Sequence, residues 1–148
     1  MKQVYDSVRQ QWVAATPEEI VRQRWVQRMV QELQFPKELL VIEKELKTLP
    51  HLQAHPHPLP QRRSDIISFG KNIHPHHPLH PLLLIECKGE SLSPEALDQA
   101  LAYNTFVQAF YVAIVNRDQI RLKYNLACKR CEIDWLPSFP ELMESVHG

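Results

Sequence analysis

The run Leu82-Leu83-Leu84-Ile85-Glu86-Cys87-Lys88 limits what this chain can fold into. Four consecutive aliphatic residues read as a strand buried on both faces. Such a strand should continue apolar, yet this one ends in Glu-x-Lys. Side chains alternate along a strand, so Glu86 and Lys88 point the same way, roughly 7 Å apart. Charges at the mouth of a buried strand are costly unless something there uses them. A second apolar run, Arg62-Arg63-Ser64-Asp65-Ile66-Ile67-Ser68-Phe69, carries Asp65 near its start. Asp65, Glu86 and Lys88 together make a carboxylate pair plus a lysine. Carboxylate oxygens suit Mg²⁺, which keeps several waters and accepts phosphate oxygens. There the ion would polarise a phosphodiester and lower the pKa of a water, while Lys88 orients that water or stabilises developing charge. In the plainer alternative, Asp65 and Glu86 end strands in ion pairs with Arg62, Arg63 and Lys88. An ExK triplet alone is common by chance. Its place after Leu-Leu-Leu-Ile, with an Asp on the preceding apolar run, favours the site.

The 148 residues are enough for one domain with its own core. Seventeen Lys+Arg against seventeen Asp+Glu give zero formal net charge, so any nucleic-acid contact must come from a local patch. No run is long and apolar enough to span a membrane, and the N-terminus lacks the apolar core of a signal peptide. The expected compartment is therefore the cytoplasm. Cys87, Cys128 and Cys131 are an odd number in such a chain, which argues against a disulfide framework.

Residues 1–15 read as an N-terminal extension, a short strand or helix padding the core through Tyr5, Val8, Trp12 and Val13. Thr16-Pro17-Glu18-Glu19 is a helix start, with Thr16 as N-cap, Pro17 at the first position and Glu19 at the far end of a capping box. Val26, Met29, Val30 and Leu33 carry the helical period to about Gln34, before Pro36. Leu39–Leu46 suits a strand. Residues 47–61 and 71–81 are Pro/His-rich loops, too dense in proline for regular structure. Between them lies the Asp65 strand, which should pair antiparallel with the Glu86 strand. Ser93-Pro94-Glu95 opens a second helix to about Gln108. Phe110–Val115 is another buried strand, and the alternation over Gln119–Tyr124 predicts an edge strand. A short last helix is expected around Glu141–Ser145. The order helix, three strands, helix, two strands predicts one α/β domain, a central mixed sheet of about five strands flanked by helices.

Several blocks together carry a resemblance: Tyr5-Asp6-x-x-Arg9, Thr16-Pro17-Glu18-Glu19-x-Val21-Arg22-Gln23, Val41-Ile42-Glu43-Lys44, Arg63-x-Asp65-Ile66, Leu84-Ile85-Glu86-Cys87-Lys88 and Gln99-x-x-x-Tyr103-Asn104. In order and spacing they resemble the N-terminal domains of type I restriction enzyme R subunits, within the PD-(D/E)xK nuclease superfamily. The resemblance implies a restriction-endonuclease-like core and Mg²⁺-dependent hydrolysis of DNA phosphodiesters, with Mn²⁺ as a substitute ion. It implies Asp65 and Glu86 as metal ligands and Lys88 as the catalytic lysine. An acid of the first helix, Glu19 in preference to Glu18, and Gln99 of the second match residues lining the site in related nucleases. The chain departs from the family in Val115-Asn116-Arg117 where Thr-Asn-Gly is usual, in Gly89-Glu90 after Lys88, and in its long histidine-rich loop. These departures bear on specificity and remove no expected ligand. With no Gly-rich phosphate loop, the expectation is a stand-alone nuclease-like domain whose motor or specificity subunit is a separate protein. The rival expectation is a non-catalytic nucleic-acid-binding or interaction module keeping the nuclease fold.

Other residues have two readings each. Arg62, Arg63, Lys71 and Arg117 are candidate phosphate contacts or ordinary surface charges. Glu19 is a capping acid or a site residue; its spacing of seven to Val26 and fourteen to Leu33 favours the site. Gln99, one turn from Tyr103, lines the site or is solvated. Glu43 ends a strand near the site or pairs at the surface. His74, His76, His77 and His80, with His55 and His57, suggest Zn²⁺ or Ni²⁺, but loops offer no defined elements to hold ligands, so a solvated loop is preferred. Cys128-Lys129-Arg130-Cys131 reads as two partly buried thiols, Cys87 as a buried thiol, and the three tryptophans as packing. A homodimer would use the edge strands and the Trp135 region.

Overall fold

The computed structural model describes residues 2–147. Gln3–Asp6 (β1) and Gln11–Ala14 (β2) form a separate antiparallel hairpin, which is what the N-terminal extension becomes. Its Tyr5 and Trp12 meet edge to face and stay exposed, while Val8 packs on the core. Pro17–Gln31 (α1) starts as the sequence dictates: the Thr16 hydroxyl accepts the Glu19 N–H, and Pro17 fills the first position. It ends short of Gln34, which takes φ 62° and turns the chain before Pro36. Leu40–Glu45 (β3), Arg63–Lys71 (β4) and Leu79–Cys87 (β5) follow, then Pro94–Val107 (α2), Tyr111–Val115 (β6), Ile120–Lys123 (β7), Glu132–Ile133 (β8) and Phe139–His147 (α3).

The large sheet has the order β3-β4-β5-β6-β7-β8, six strands where about five are expected. β5 and β6 run parallel and the other neighbours antiparallel, with α2 as the crossover. The extra strand is β8. It pairs with β7 through Leu122–Ile133 and Lys123–Glu132, so β7 is internal and β8 takes the edge. This return corrects the reading of the CxxC. The loop between β7 and β8 brings the Cα atoms of Cys128 and Cys131 to 5.5 Å, and the two form a disulfide in place of free thiols. Cys87 remains a buried free thiol.

Period-two alternation divides the central strands between two apolar layers. Ile66, Leu83, Ile85, Ala113 and Val115 pack with Trp25, Val26 and Met29 of α1 and Leu142 of α3. Ile67 and Leu84 face Tyr103 and Val107 of α2, and Val112 and Ile114 face Leu97 and Ala100. The aliphatic run reads as fully buried because helices cover both of its faces. Of the tryptophans only Trp25 packs as expected; Trp12 is 64% and Trp135 53% exposed.

The Pro/His segments are more ordered than their proline content suggests. Leu46–Thr48 and Pro50–Leu52 are short 3₁₀ turns, with Pro50 at a helical first position. β5 begins at Leu79 and so includes His80 and Pro81. The register slips between Ser68–Leu83 and Phe69–Pro81, leaving Leu82 as the extra residue of a bulge. A bulge is where a strand tolerates proline, because the ladder there does not need its N–H. His51 and His80 each donate Nε2–H to a carbonyl at the end of α2, Val107 O and Gln108 O, both at 2.7 Å.

Burial, reinforced by nearby His51, His74 and His77, pushes His80 down to about 4. An unfolded histidine takes up its proton near pH 6.5, so between pH 6.5 and 4 the unfolded chain binds the extra proton. The stability contributed by neutral His80 is therefore present above pH 6.5 and falls by about 3 kcal/mol on acidification to pH 4. Urea midpoints in EDTA, compared with His80→Gln, isolate this group from other titrating side chains. Wild type should lose the larger amount over that window, and parallel profiles would contradict the assignment.

Candidate active site

Asp65, near the start of β4, and Glu86, near the end of β5, lie at the same end of the sheet, because the two strands run antiparallel with Ile66 opposite Ile85. Glu86 is 2% exposed and Asp65 9%. Asp65 Oδ2 accepts the backbone N–H of Cys87 at 2.9 Å, which fixes it against the end of β5. Burial works against the Asp65 charge, but hydrogen bonds with Glu86, Arg22 and the Cys87 N–H hold its pKa below the usual carboxylate range. The same pairing drives Glu86 the other way. Burial first, then the neighbouring Asp65, push it up to about 9. Glu86 Oε1 is buried without a hydrogen-bond partner among the described residues, and Arg62 Nη2 lies 4.0 Å from it. Lys88 follows at the strand end, partly buried, its N–H donated to Val115 O.

Glu43 lies opposite Asp65 at the one step the β3–β4 ladder skips. Its φ of 52° puts a glutamate in the left-handed region in mid-strand, a strain of about 1–3 kcal/mol. Glu18, Glu43 and Asp65 each place one carboxylate oxygen within 4.8 Å of the others. Burial, then the adjacent Asp65, raise the pKa of Glu18.

Arg22 compensates these charges. It is 2% exposed, and its guanidinium reaches Asp65 Oδ1 at 2.7 Å, Glu19 Oε1 at 2.9 Å, and Glu18 and Glu43 at 3.0 Å. Arg9 joins from the hairpin. Asp6 Oδ1 accepts the N–H groups of Val8 and Arg9 in the β1–β2 turn, which aims the Arg9 side chain at Asp6, Glu19 and Glu43.

The expected residues thus divide. Asp65 and Glu86 come together, and Lys88 follows two residues after Glu86, close enough for its charge to act on that carboxyl. Glu19 sits one step aside, held by Arg9, Arg22 and Gln23, and its neighbour Glu18 faces Asp65. The Gln99 side chain is exposed and bonds to no described residue; one turn on, buried Tyr103 bonds Ser64 Oγ at 3.0 Å and the Arg62 carbonyl. Arg62 stacks over the Tyr103 ring at 4.3 Å, beside Glu86. Arg63 pairs with Glu45. Arg117 is exposed in the turn after β6, at the same sheet end as Lys88. Lys71 ends β4, about 20 Å along the strand from Asp65.

Sequence reasoning gave no site role to Arg9, Arg22 or Asp6. All three stand in the motif blocks, and Arg22 keeps helical register with Trp25 and Met29, a signal that it faces inward.

Helices on both faces of a mixed sheet, with carboxylates gathered at adjacent strand ends, define an α/β domain with a buried acid cluster. The family model described as Type I restriction enzyme R protein N terminus matches residues 17–140, and the chain belongs to that family. No curated protein and no solved structure matches it. No described helix is long and apolar enough to cross a membrane.

Proposed function

We propose that the chain is a divalent-metal-dependent nuclease domain of the PD-(D/E)xK type that hydrolyses DNA phosphodiesters. The observation that carries this reading is the convergence of Glu18, Glu43 and Asp65 oxygens, to which the buried Glu86 carboxyl is tied through its hydrogen bond with Asp65. An all-carboxylate donor set fits Mg²⁺ or Mn²⁺ and suits softer ions poorly. When bound, the ion would polarise the phosphate and acidify a water.

The chain's own residues do the rest. Asp65 and Glu86 would hold the ion, with Glu18 or Glu43 completing the set. Arg22 and Arg9 hold the acids in place through their ion pairs. Lys88, next along β5 on the Glu86 side, would stabilise charge developing on the phosphate. Arg62 and Arg117 supply positive charge at the same sheet end for the backbone of DNA. The family's name further implies DNA as substrate and other subunits as partners.

A second reading, a binding module that keeps the fold without cleavage, is favoured by one observation. The Arg22 guanidinium is itself a cation paired with Asp65, Glu18, Glu19 and Glu43. Supercoiled plasmid and single-stranded DNA incubated with Mg²⁺ or Mn²⁺ separate the two. The nuclease reading expects cleavage that EDTA abolishes and that Lys88→Met slows about 100-fold or more. DNA binding with no cleavage under either ion leaves the binding module.

A further inference from the structure

We infer that the two proline–histidine segments fold together into a second, separate metal site, for an ion such as Zn²⁺ or Ni²⁺, anchored by His51 and His80 and closed by His74 and His77. These four residues come from three places: the Pro50–Leu52 turn, the loop after β4, and the start of β5. Their rings nevertheless gather. His80 lies 5.2 Å from His51, 4.4 Å from His74 and 5.8 Å from His77, centre to centre, and His74 lies 4.6 Å from His77.

The hydrogen bonds of the two anchors carry the argument. A carbonyl only accepts, so His51 and His80 must hold their protons on Nε2 to bond Val107 O and Gln108 O. That tautomer leaves each Nδ1 with a lone pair. Both Nδ1 atoms are buried and have no partner among the described residues, and His80 is 2% exposed. A ring whose far N–H is given to a backbone carbonyl, with the other nitrogen presented bare, is the usual posture of a metal-ligating histidine. The accepting carbonyls end α2, where the helix dipole is negative, which makes the free nitrogens better donors.

The other two rings can complete the set. His74 Nδ1 accepts the His76 N–H, which leaves its Nε2 for a ligand. His77, just before Pro78, and His74, just before Pro75, are partly exposed and stack at 14° and 19° on His80. As placed, no three of these rings bring nitrogens within 4.8 Å of one another, so His74 and His77 would turn edge-on from the solvent side to receive the ion. Burial and the neighbouring rings lower the pKa of His51, His74 and His80, which keeps them in the neutral form that ligates. Imidazole nitrogens select Zn²⁺, Ni²⁺ or Co²⁺ over Mg²⁺. His80 stands six residues from Glu86 along β5, about 20 Å, so this site is independent of the acid cluster. An ion there would clip the two Pro/His segments to the end of α2.

Co²⁺ titrated into the metal-stripped full chain reads the site directly. One equivalent should produce saturable visible d–d absorption that Zn²⁺ abolishes by displacement. His74→Asn with His77→Asn changes only partly exposed loop residues and should weaken Co²⁺ binding at least about 10-fold. The bands should survive in His55→Asn with His57→Asn and in Asp65→Asn. Absence of a saturable band in wild type overturns the inference. So does a band unchanged in the His74/His77 pair, or one lost in Asp65→Asn.

Discussion

Glu86→Gln is expected to fold with wild-type stability and to cleave DNA more than about 100-fold more slowly. Glu86 is buried, and its carboxyl is pushed up to about 9, first by burial and then by Asp65. At neutral pH the metal-free protein therefore already holds it neutral. Glutamine has the same shape and keeps a donor for Asp65, so the stability change should stay within about 1 kcal/mol. What the amide loses is the ability to become a carboxylate beside a divalent ion. Paired urea denaturation and plasmid nicking check both halves. Wild-type cleavage by the variant would remove Glu86 from the machinery. A large loss of stability would show that the buried group is charged before any ion arrives.

Replacement of Arg22 by methionine should have the opposite profile. Its guanidinium sits among four carboxylates, and the Asp65 and Glu19 partners are themselves buried. Deleting one member of a buried ionic network while leaving the others costs about 3–5 kcal/mol. For a chain of this size that is a fall in melting temperature of about 10 °C. Arg22→Lys should recover only part, because a single ammonium cannot span the fork now shared by Asp65 and Glu19. A loss under about 1 kcal/mol would mean that Arg9 and solvent suffice to compensate the acids.

How much of this was legible beforehand depended on the range of each signal. The α1 cap was readable because Thr16, Pro17 and the Glu19 N–H act within four residues. The buried strand was readable because Leu82–Ile85 is apolar on both parities, as burial between two helical layers requires. Asp65 and Glu86 stand out as polar interruptions of apolar runs. Arg22 is hard to place because an arginine on a charged helix looks solvated, and only its register with Trp25 and Met29 says otherwise. The left-handed turn at Glu43 left no local trace, since nothing in Ile-Glu-Lys demands a positive φ. The extra edge strand depended on a two-residue pairing at Glu132–Ile133, too short to show a period, and the Cys128–Cys131 bond followed from that return. The proline–histidine segments look solvated because their sequence offers no defined element, whereas a 3₁₀ turn and a bulged strand start hold two of the histidines against α2.

The central claim, that the acid cluster at the ends of β4 and β5 is a divalent metal site, is tested most directly by calorimetric titration of Mg²⁺ and Mn²⁺. The titration would use wild type, Glu86→Gln and Asp65→Asn, each shown folded by its denaturation midpoint. Saturable binding in wild type that both variants lose is the result predicted. Equal binding in all three, or none in folded wild type at millimolar ion, would contradict it.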